Sequence, residues 1–409
     1  VYRPVRVVSY DKESGELVLH NYMDFDDLKD YVKISYELTQ DGLVISKGIL
    51  SEFSVASHGE GKTNLKISVP ENGKCYLKLI YYLKKEMPLL EENHILGFDE
   101  IEVSQKDAKC QLAEKWLEKT ATDSELQVNE NDTQIHIKGR EFAYTIDRRT
   151  ALFTEMKFAG REYLNHPMEL NIWRAPTDND MYIKAEWKKA HYDKAYTRAY
   201  TTEVVQGKHG VKIVSHASVV AETVQKILDV TITWKIDASG KIDADIEATK
   251  DGEFPDLPRF GVRMFLDKKL ADIRYFGMGP QESYRDKHQA ASHGLYRANV
   301  GDLHEDYIRP QENGSHYDCE YVELNNSRYG IVASAEKAFS FNASYYTQEE
   351  LEKKTHNYEL IESDSVVFCV DYALNGIGSN SCGPVVLEQY RFDDVLFRFQ
   401  FTLIPYVKG

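Results

Sequence analysis

Asp178, Asn179 and Asp180 stand in a row shortly after Trp173 and Arg174, so acids and an amide crowd beside an aromatic ring and a cation. Such oxygens can ligate Ca²⁺ or Mg²⁺, but a calcium loop also needs alternate oxygen ligands, a glycine and a terminal glutamate over about twelve residues. Three interpretations are open: a metal site, a loop that faces a ligand, or a loop in which Asp178 or Asp180 caps the short helix at 183–190 while Arg174 pairs with a carboxylate.

Two glutamates, Glu282 and Glu312, each follow the dipeptide Pro-Gln. A retaining glycosidase uses two carboxyl groups that stand about 5 Å apart, and the spacing along the chain does not give that distance. In the other interpretation both glutamates hold turns through salt bridges with neighbours such as Arg285 or Arg309. The glycines near Glu282 are not a phosphate loop, because neither GxGxxG nor a GK[ST] ending is present.

Two further segments are rich in polar side chains. Asn313-Gly314 is a typical turn, and His316 behind it either supports the rim of a binding cleft or is a surface or interdomain residue. Cys382 lies in the glycine-rich stretch 376–384 without a histidine at a fixed spacing. It is therefore not expected to act as a nucleophile.

Length and composition predict a globular protein of two or three domains, since 409 residues with 42% hydrophobic content can form packed cores. The net charge of -16 repels polyphosphate, which argues against nucleic acid as a partner and is compatible with neutral carbohydrate. No run of about 18 apolar residues is present, so no membrane partner is expected. The five cysteines lack CxxC spacing, which favours buried free thiols over disulfides or a zinc site.

Apolar and polar residues alternate with a period of two along most of the chain, which predicts antiparallel sheets and an all-β fold. The clearest hairpin covers residues 228–246 and turns at 237–240. Residues 397–403 alternate in the same way, so the last strand is expected to have one buried and one wet face. Short helices are predicted at 185–190 and 348–354.

The pattern divides the chain into two β-rich parts. Residues 1–104 are predicted to form an immunoglobulin-like sandwich, because about seven short strands fit within them. The strands expected there include residues 32–38, 44–50, 65–69 and 76–83. Residues 105–133 lose the alternation and carry clusters of charge, which predicts a linker. Alternation resumes at Gln134, so residues 134–409 are predicted to form a larger all-β domain.

Four strings carry a resemblance to a known family: WRAPTDND at 173–180, FGMGPQESYRD at 276–286, YIRPQENGSHYD at 307–318 and GIGSNSCGP at 376–384. Together they resemble the C-terminal part of the large bacterial beta-galactosidases of glycoside hydrolase family 2. The resemblance implies an immunoglobulin-like sandwich followed by a large β-supersandwich of the galactose mutarotase type. It also implies that both catalytic glutamates lie in an upstream (β/α)8 barrel, so no catalytic residue is expected here. The start at Val1, with no Met, suggests that the true N-terminus is missing.

The resemblance further implies a function for the polar segments, as the rim of an active site that hydrolyses terminal beta-galactosides. The substrate-binding residues expected from it are Arg174, Asp178, Asn179, Asp180, Asn313, His316, Asn380, Ser381 and Cys382. No cofactor or metal is expected in this chain, although the full-length enzyme could hold a divalent or monovalent metal ion. The expected partners are a beta-galactoside, the upstream barrel and further copies of the same protein. Removing the carboxylate of Asp180 is expected to weaken substrate handling with little change in melting temperature.

Two other functions are compatible with the residues. A stand-alone, non-catalytic carbohydrate-binding or assembly module would present exposed aromatic residues such as Trp173 or Trp187. An aldose epimerase would need a general acid and base facing one sugar carbon, for which His293 or His288 with Glu282 are the nearest candidates. The epimerase is supported only by fold analogy, which does not carry function.

Overall fold

The computed structural model describes residues 2–118 and 125–408. Contacts between Cα atoms divide the chain into two compact units. The first comprises Val1–Glu114 with Ser292–Leu295, and the second comprises Lys115–Ala291 with Tyr296–Gly409. The prediction of an all-β protein is confirmed, and each unit has its own hydrophobic core.

The first unit contains seven strands and two helices within the described residues. They are β1 Val5–Tyr10, β2 Glu16–Asn21, α1 Leu28–Tyr31, β3 Val32–Gln40, β4 Leu43–Leu50, β5 Glu60–Asn64, β6 Cys75–Leu83, β7 Ile95–Glu102 and, where the unit ends, α2 Gln111–Leu117.

These strands form a sandwich of two antiparallel sheets, in the orders β1-β2-β5 and β4-β3-β6-β7. One core draws alternate residues from both sheets, including Leu17, Ile34 and Leu79, each fully buried. The expected strand at 65–69 is wrong: the strand is Glu60–Asn64, and Leu65 instead donates its backbone N–H to the carbonyl of Gly15. Leu65 was a misleading signal because it is a core residue in a loop.

The second unit begins with small strands and a hairpin. Its elements up to residue 194 are β8 Gln127–Glu130, β9 Gln134–Lys138, β10 Phe142–Asp147, β11 Leu152–Phe158, β12 Arg161–Glu162, β13 Leu164–Asn171, a 3₁₀ turn Asp178–Asp180, α3 Ile183–Lys189 and a 3₁₀ turn Tyr192–Lys194. The rest are β14 Tyr196–Gln206, β15 Gly210–Val220, β16 Leu228–Asp237, β17 Ile242–Lys250, β18 Arg259–Asp267, β19 Asp272–Gly279, β20 Ser292–Asn299, a 3₁₀ turn Val300–Leu303, β21 Ser315–Asn325, β22 Tyr329–Ser344, α4 Gln348–Lys353, a 3₁₀ turn Asn357–Glu359, β23 Ser365–Leu374, a 3₁₀ turn Glu388–Tyr390 and β24 Leu396–Val407.

A twelve-stranded sheet dominates this unit. Its main path runs β13-β18-β23-β22-β24-β17-β16-β15-β14, and β19, β20 and β21 branch from β22. A smaller sheet, β12-β11-β10-β9-β8, shares one hydrophobic core with it. The large sheet is where the candidate site lies, because the polar loops leave from the ends of its strands.

The predicted hairpin and final strand are confirmed. Ile236 pairs with Ile242 across the turn, and the apolar residues of both strands are buried. Phe397 to Leu403 bury every second side chain on β24, while Arg398 on the other face pairs with Asp245. The two predicted short helices correspond to α3 and α4.

The stretch predicted as a linker, 105–133, contains α2 and β8, and residues 119–124 of it lie outside the described part of the chain. Over the described ranges, no helix is long and apolar enough to cross a membrane.

Candidate functional site

Three loops meet at one end of the large sheet. Strands β13 and β23 both pair antiparallel with β18, and Gly261 lies opposite Asn171 on one side and Asp371 on the other. The two flanking strands therefore run parallel and end at the same edge. Their exit loops, residues 172–182 (the first loop) and 375–391 (the third loop), leave together, and residues 304–314 (the second loop) join them.

Gly261 allows this close approach. A Cβ atom there would stand 2.2 Å from the carbonyl oxygen of Val370 and 2.4 Å from Oδ1 of Asp371. Any larger residue would push β23 away from β18 and separate the bases of the loops.

Arg174 and Asp180 form a fully buried ion pair at the base of the first loop. Arg174 donates from Nη2 to Oδ1 of Asp180 at 2.7 Å and from Nε to Oδ2 at 3.2 Å. Asp180 also accepts from the backbone N–H of Thr177 at 2.9 Å, which closes a capping box around the 3₁₀ turn. The remaining guanidinium donors bind the carbonyls of Asn375 and Gly376, so one arginine ties the first loop to the third.

The interpretation in which Arg174 pairs with a carboxylate therefore describes the geometry. The expected cap is wrong: the N-cap of α3 is Tyr182, without a side-chain hydrogen bond, and Asp180 instead takes part in the capping box of the 3₁₀ turn. Arg174 and Asp180 are 0% and 2% exposed, so they position the loop from beneath. The expectation that Asp180→Ala would hardly change the melting temperature is replaced by one of strong destabilisation, since Arg174 would be left buried and unpaired.

A second buried cluster lies below the second loop. Arg259, at the start of β18, donates to both carboxylate oxygens of Asp371 at 3.1 and 2.5 Å and to Glu312 at 3.4 Å. Burial raises the pKa of Glu312 and of Asp371, and the charge of Arg259 opposes that rise. The backbone N–H of Glu312 donates to the carbonyl of Ala175, so this cluster also anchors the first loop.

The exposed tips are joined by hydrogen bonds. Asn179 donates from Nδ2 to the carbonyl of Gly378 at 2.7 Å and accepts from the hydroxyl of Ser381 at 2.8 Å. Asp178 exchanges bonds with Gln311, through its backbone N–H at 3.0 Å and its carboxylate at 3.2 Å. The structure thus brings Asp178, Asn179 and Ser381 together on one polar surface.

Asn380 and Cys382 lie in the same third loop, beside Ser381, with Cys382 exposed. The expectation of buried free thiols is confirmed for Cys75, Cys110, Cys319 and Cys369 and is wrong for Cys382.

Asn313 and His316 are placed beneath the second loop rather than at its surface. Asn313 is 6% exposed and accepts from the backbone N–H of Glu305 at 3.0 Å. His316 is 1% exposed, bonds through Nδ1 to the carbonyl of Met278 at 3.2 Å and packs between Tyr275 and Phe341. Burial lowers its pKa to about 4, so His316 is neutral at pH 7. The alternative of a surface histidine is wrong.

Glu282 is a structural residue with partners other than those expected. Its carboxylate accepts from Lys287, from the hydroxyl of Tyr307 at 2.6 Å and from the backbone N–H of Gly314 at 2.9 Å. Burial acts to raise its pKa, but these donors outweigh burial, and the net shift is downward. The predicted role of holding turns fits both glutamates, whereas the cations are Lys287 and Arg259 rather than Arg285 or Arg309.

Sequence reasoning missed three residues that build the site: Arg259, Asp371 and Asp286. Asp286 accepts from the backbone N–H groups of Ile377 and Gly378 at 2.9 and 2.7 Å and so shapes the third loop. It stands at the end of the string 276–286, which offered a signal. Arg259 and Asp371 offered none, because each occupies an ordinary position on a strand.

A metal ion does not fit the row 178–180. The oxygens of Asp180 bind Arg174 and Thr177, those of Asp178 and Asn179 face different partners, and so the three side chains do not converge. Among residues 2–118 and 125–408, no group of three or more His, Cys, Asp or Glu side chains is arranged to hold a metal.

The residues named for the other functions are engaged elsewhere. Trp187 is fully buried and Trp173 is 3% exposed, so neither offers an open stacking surface. His293 binds Glu100 through Nδ1 at 2.7 Å, and His288 bonds through Nδ1 to the carbonyl of Tyr284. Glu282 is held by Lys287, so these groups do not assemble an acid and base pair.

Comparison with known proteins identifies the matching families. The family model described as Beta galactosidase small chain matches residues 138–403, and the one described as Beta-galactosidase, domain 4 matches residues 17–104. A beta-galactosidase of Actinobacillus pleuropneumoniae is 42% identical over 406 residues, which is 99% of this chain and 39% of that protein. One of Staphylococcus xylosus is 30% identical over 405 residues, 98% of this chain and 40% of that protein. The chain thus spans about 40% of the length of these relatives.

Among solved structures, a galactose 1-epimerase from Lactobacillus acidophilus NCFM aligns with 71% of this chain and 100% of its own, at 9% identity and a TM-score of 0.38.

Proposed function

Since the chain belongs to the family of the beta galactosidase small chain, we propose that it forms the non-catalytic C-terminal part of a retaining beta-galactosidase. In this proposal the three loops complete the rim of an active site, and the acid and the nucleophile come from a barrel domain outside this chain. Beta-galactosides are the substrates, and copies of the complete protein associate as a homo-oligomer. Any metal ion of the complete enzyme binds outside this chain.

The observation that carries the proposal is the state of the carboxyl groups. Burial raises the pKa of Glu312, whereas hydrogen bonds outweigh burial and lower the pKa of Glu282. The general acid and the nucleophile of a glycosidase can differ in pKa in the same way. A glycosidase, however, needs both groups open to the sugar. Glu312 is 4% exposed and bonded through its backbone N–H to Ala175, and the side chain of Glu282 is 6% exposed among its donors. Both glutamates therefore have a structural role in this proposal.

Within the rim, the roles divide by exposure. Asp178, Asn179, Asn380, Ser381 and Cys382 are proposed to face the substrate. The buried residues Arg174, Asp180, Asn313 and His316 are proposed to position them. A rim held by buried charge pairs loses little motion on binding, so it presents its polar tips at low entropic cost.

The 409-residue chain should not hydrolyse a nitrophenyl beta-galactoside, because Glu282 and Glu312 are both buried and bonded. The measurement is release of nitrophenol by the purified chain, with and without a polypeptide that carries the barrel domain of the same protein. Activity should appear only with the barrel present. Turnover by the chain alone that Glu282→Gln abolishes would overturn the assignment.

Asn179→Ala should lower kcat/KM of the complete enzyme by roughly 10-fold, since it removes the link between the first and third loops and one polar group of the rim. Asn165→Ala is the matched control: its amide bonds Ser365 on β23, away from the loops, and its kcat/KM should stay at the wild-type value. Equal kcat/KM for Asn179→Ala and wild type would contradict the proposal that the first loop forms part of the rim.

A further inference from the structure

A tight turn in the first unit holds a leucine in a backbone conformation that favours glycine. Residues 84–94 join β6 to β7, and the backbone groups of Met87 and Leu90 bond each other in both directions at 3.0 Å. Pro88 and Leu89 are therefore the two central residues of a turn. Leu89 has a φ of 70°, in the left-handed region that a type II turn requires of its second central residue. Glycine or asparagine is usual there, because a bulky side chain destabilises this conformation.

The side chain of Leu89 is fully exposed, so packing within the chain does not explain its presence in this turn. Met87 beside it and Ile95 at the start of β7 are 41% and 59% exposed. Within residues 2–118 and 125–408, Leu89 alone combines a positive φ with an exposed large aliphatic side chain. A strained residue that presents apolar surface to solvent points to a contact with another molecule. Residues 87–90 are called the apolar tip.

Opposite charges flank the apolar tip. Lys84 and Lys85 precede it, Glu91 and Glu92 follow it, and all four are exposed. Lys84 donates to the carbonyl of Lys29, and none of the described residues forms an ion pair with the other three charges. When two apolar tips meet about a two-fold axis normal to the turn, the basic side of each faces the acidic side of the other. The charges therefore match a second copy of this chain, although the net charge of -16 makes two copies repel each other overall.

We propose that the apolar tip forms the centre of an interface between two copies of the complete protein. Leu89 of each copy is buried against the apolar tip of the partner, and Lys85 of each lies opposite the acidic side of the other. A few buried apolar side chains supply most of the free energy of such a contact. An interface buries about 800 Å² on each partner, so surfaces outside the apolar tip complete it. The inference rests on the proposed association of copies and assigns a surface to it.

The first test compares the sedimentation equilibrium of the complete protein with that of its Leu89→Gly variant. The variant should associate roughly 100-fold more weakly, because two leucine side chains are lost from each interface. In dilute solution it should unfold at no lower a denaturant concentration than wild type, since glycine suits this turn position. Phe25→Ala is the matched control: it removes another apolar side chain of the first unit, 93% exposed, and should associate like wild type.

A charge exchange distinguishes a second copy from any other occupant of the apolar tip. The double variant Glu91→Lys with Glu92→Lys should associate about 10-fold more weakly than wild type, because like charges then face each other. Adding Lys84→Glu and Lys85→Glu to the same chain exchanges both sides and should bring the association to within about 3-fold of wild type.

Unchanged association of Leu89→Gly, or no recovery in the fourfold charge variant, would overturn the inference while the proposed function stands. A wild-type protein that is monomeric would overturn it together with the proposed association of copies. The proposed rim is tested separately, through kcat/KM of the Asn179→Ala variant.

Discussion

Arg174→Met should lower the free energy of unfolding by about 3–5 kcal/mol, the typical effect of removing one partner of a buried ion pair. Asp180 would lose its cation in a site from which water is excluded. The carbonyls of Asn375 and Gly376 would also lose their donors, and the first and third loops would separate. Denaturant unfolding of the chain, with the transition of the second unit resolved, measures the loss.

Arg398→Met is the matched control for this prediction. Arg398 also forms a two-pronged pair, with Asp245, but its side chain is 53% exposed. Water solvates Asp245 when the arginine is removed, so the unfolding midpoint should hardly move. The double variant Arg174→Met with Asp180→Asn should recover part of the loss, since no buried charge is left unpaired. Equal midpoints for Arg174→Met and Arg398→Met would mean that the pair is not buried.

Lowering the pH should reduce the free energy of unfolding, because burial disfavours the protonation of His316 in the folded protein. Burial lowers its pKa to about 4 in the folded protein, against about 6.5 in the unfolded chain. Between these values the unfolded state binds the extra proton, so stability falls as the pH drops from 6.5 to 4 and levels off below. The full contribution corresponds to about 3 kcal/mol.

The variant His316→Gln isolates this effect. Glutamine retains a donor for the carbonyl of Met278 but does not titrate in this range. Its free energy of unfolding, measured from pH 7 to pH 4, should therefore fall about 3 kcal/mol less than that of wild type. Parallel curves for the two proteins would show that His316 is accessible to protons in the folded state.

Most of the fold could be predicted from local patterns. The hairpin from Leu228 to Ile246 and the first half of β24, from Leu396 to Phe401, alternate strictly, because one face of each strand packs on the core and the other meets water or a charge pair. Leu65 is buried like the strand residues, although it lies in a loop. An apolar residue marks burial, and burial alone does not distinguish a strand from a loop that crosses the core.

The candidate site was only partly predictable. The row 178–180 identified a polar loop, but its two aspartates lie in different environments. Asp178 is exposed beside Gln311, and Asp180 is buried in an ion pair with Arg174. Local sequence does not separate them, since what differs is the partner: Asp178 bonds Gln311 of the second loop, and Asp180 bonds Arg174 of its own loop. Arg259 and Asp371 lie 112 residues apart, so their pairing appears only when β18 and β23 meet.

The sequence by itself determined the β architecture, the family resemblance and the polar segments that form the three loops, because alternation and turn chemistry act over a few residues. Only the tertiary structure decided which charges are buried pairs and which polar tips meet at the surface. Burial and pairing depend on which strands become neighbours across more than a hundred residues, and side-chain pKa values follow from that environment.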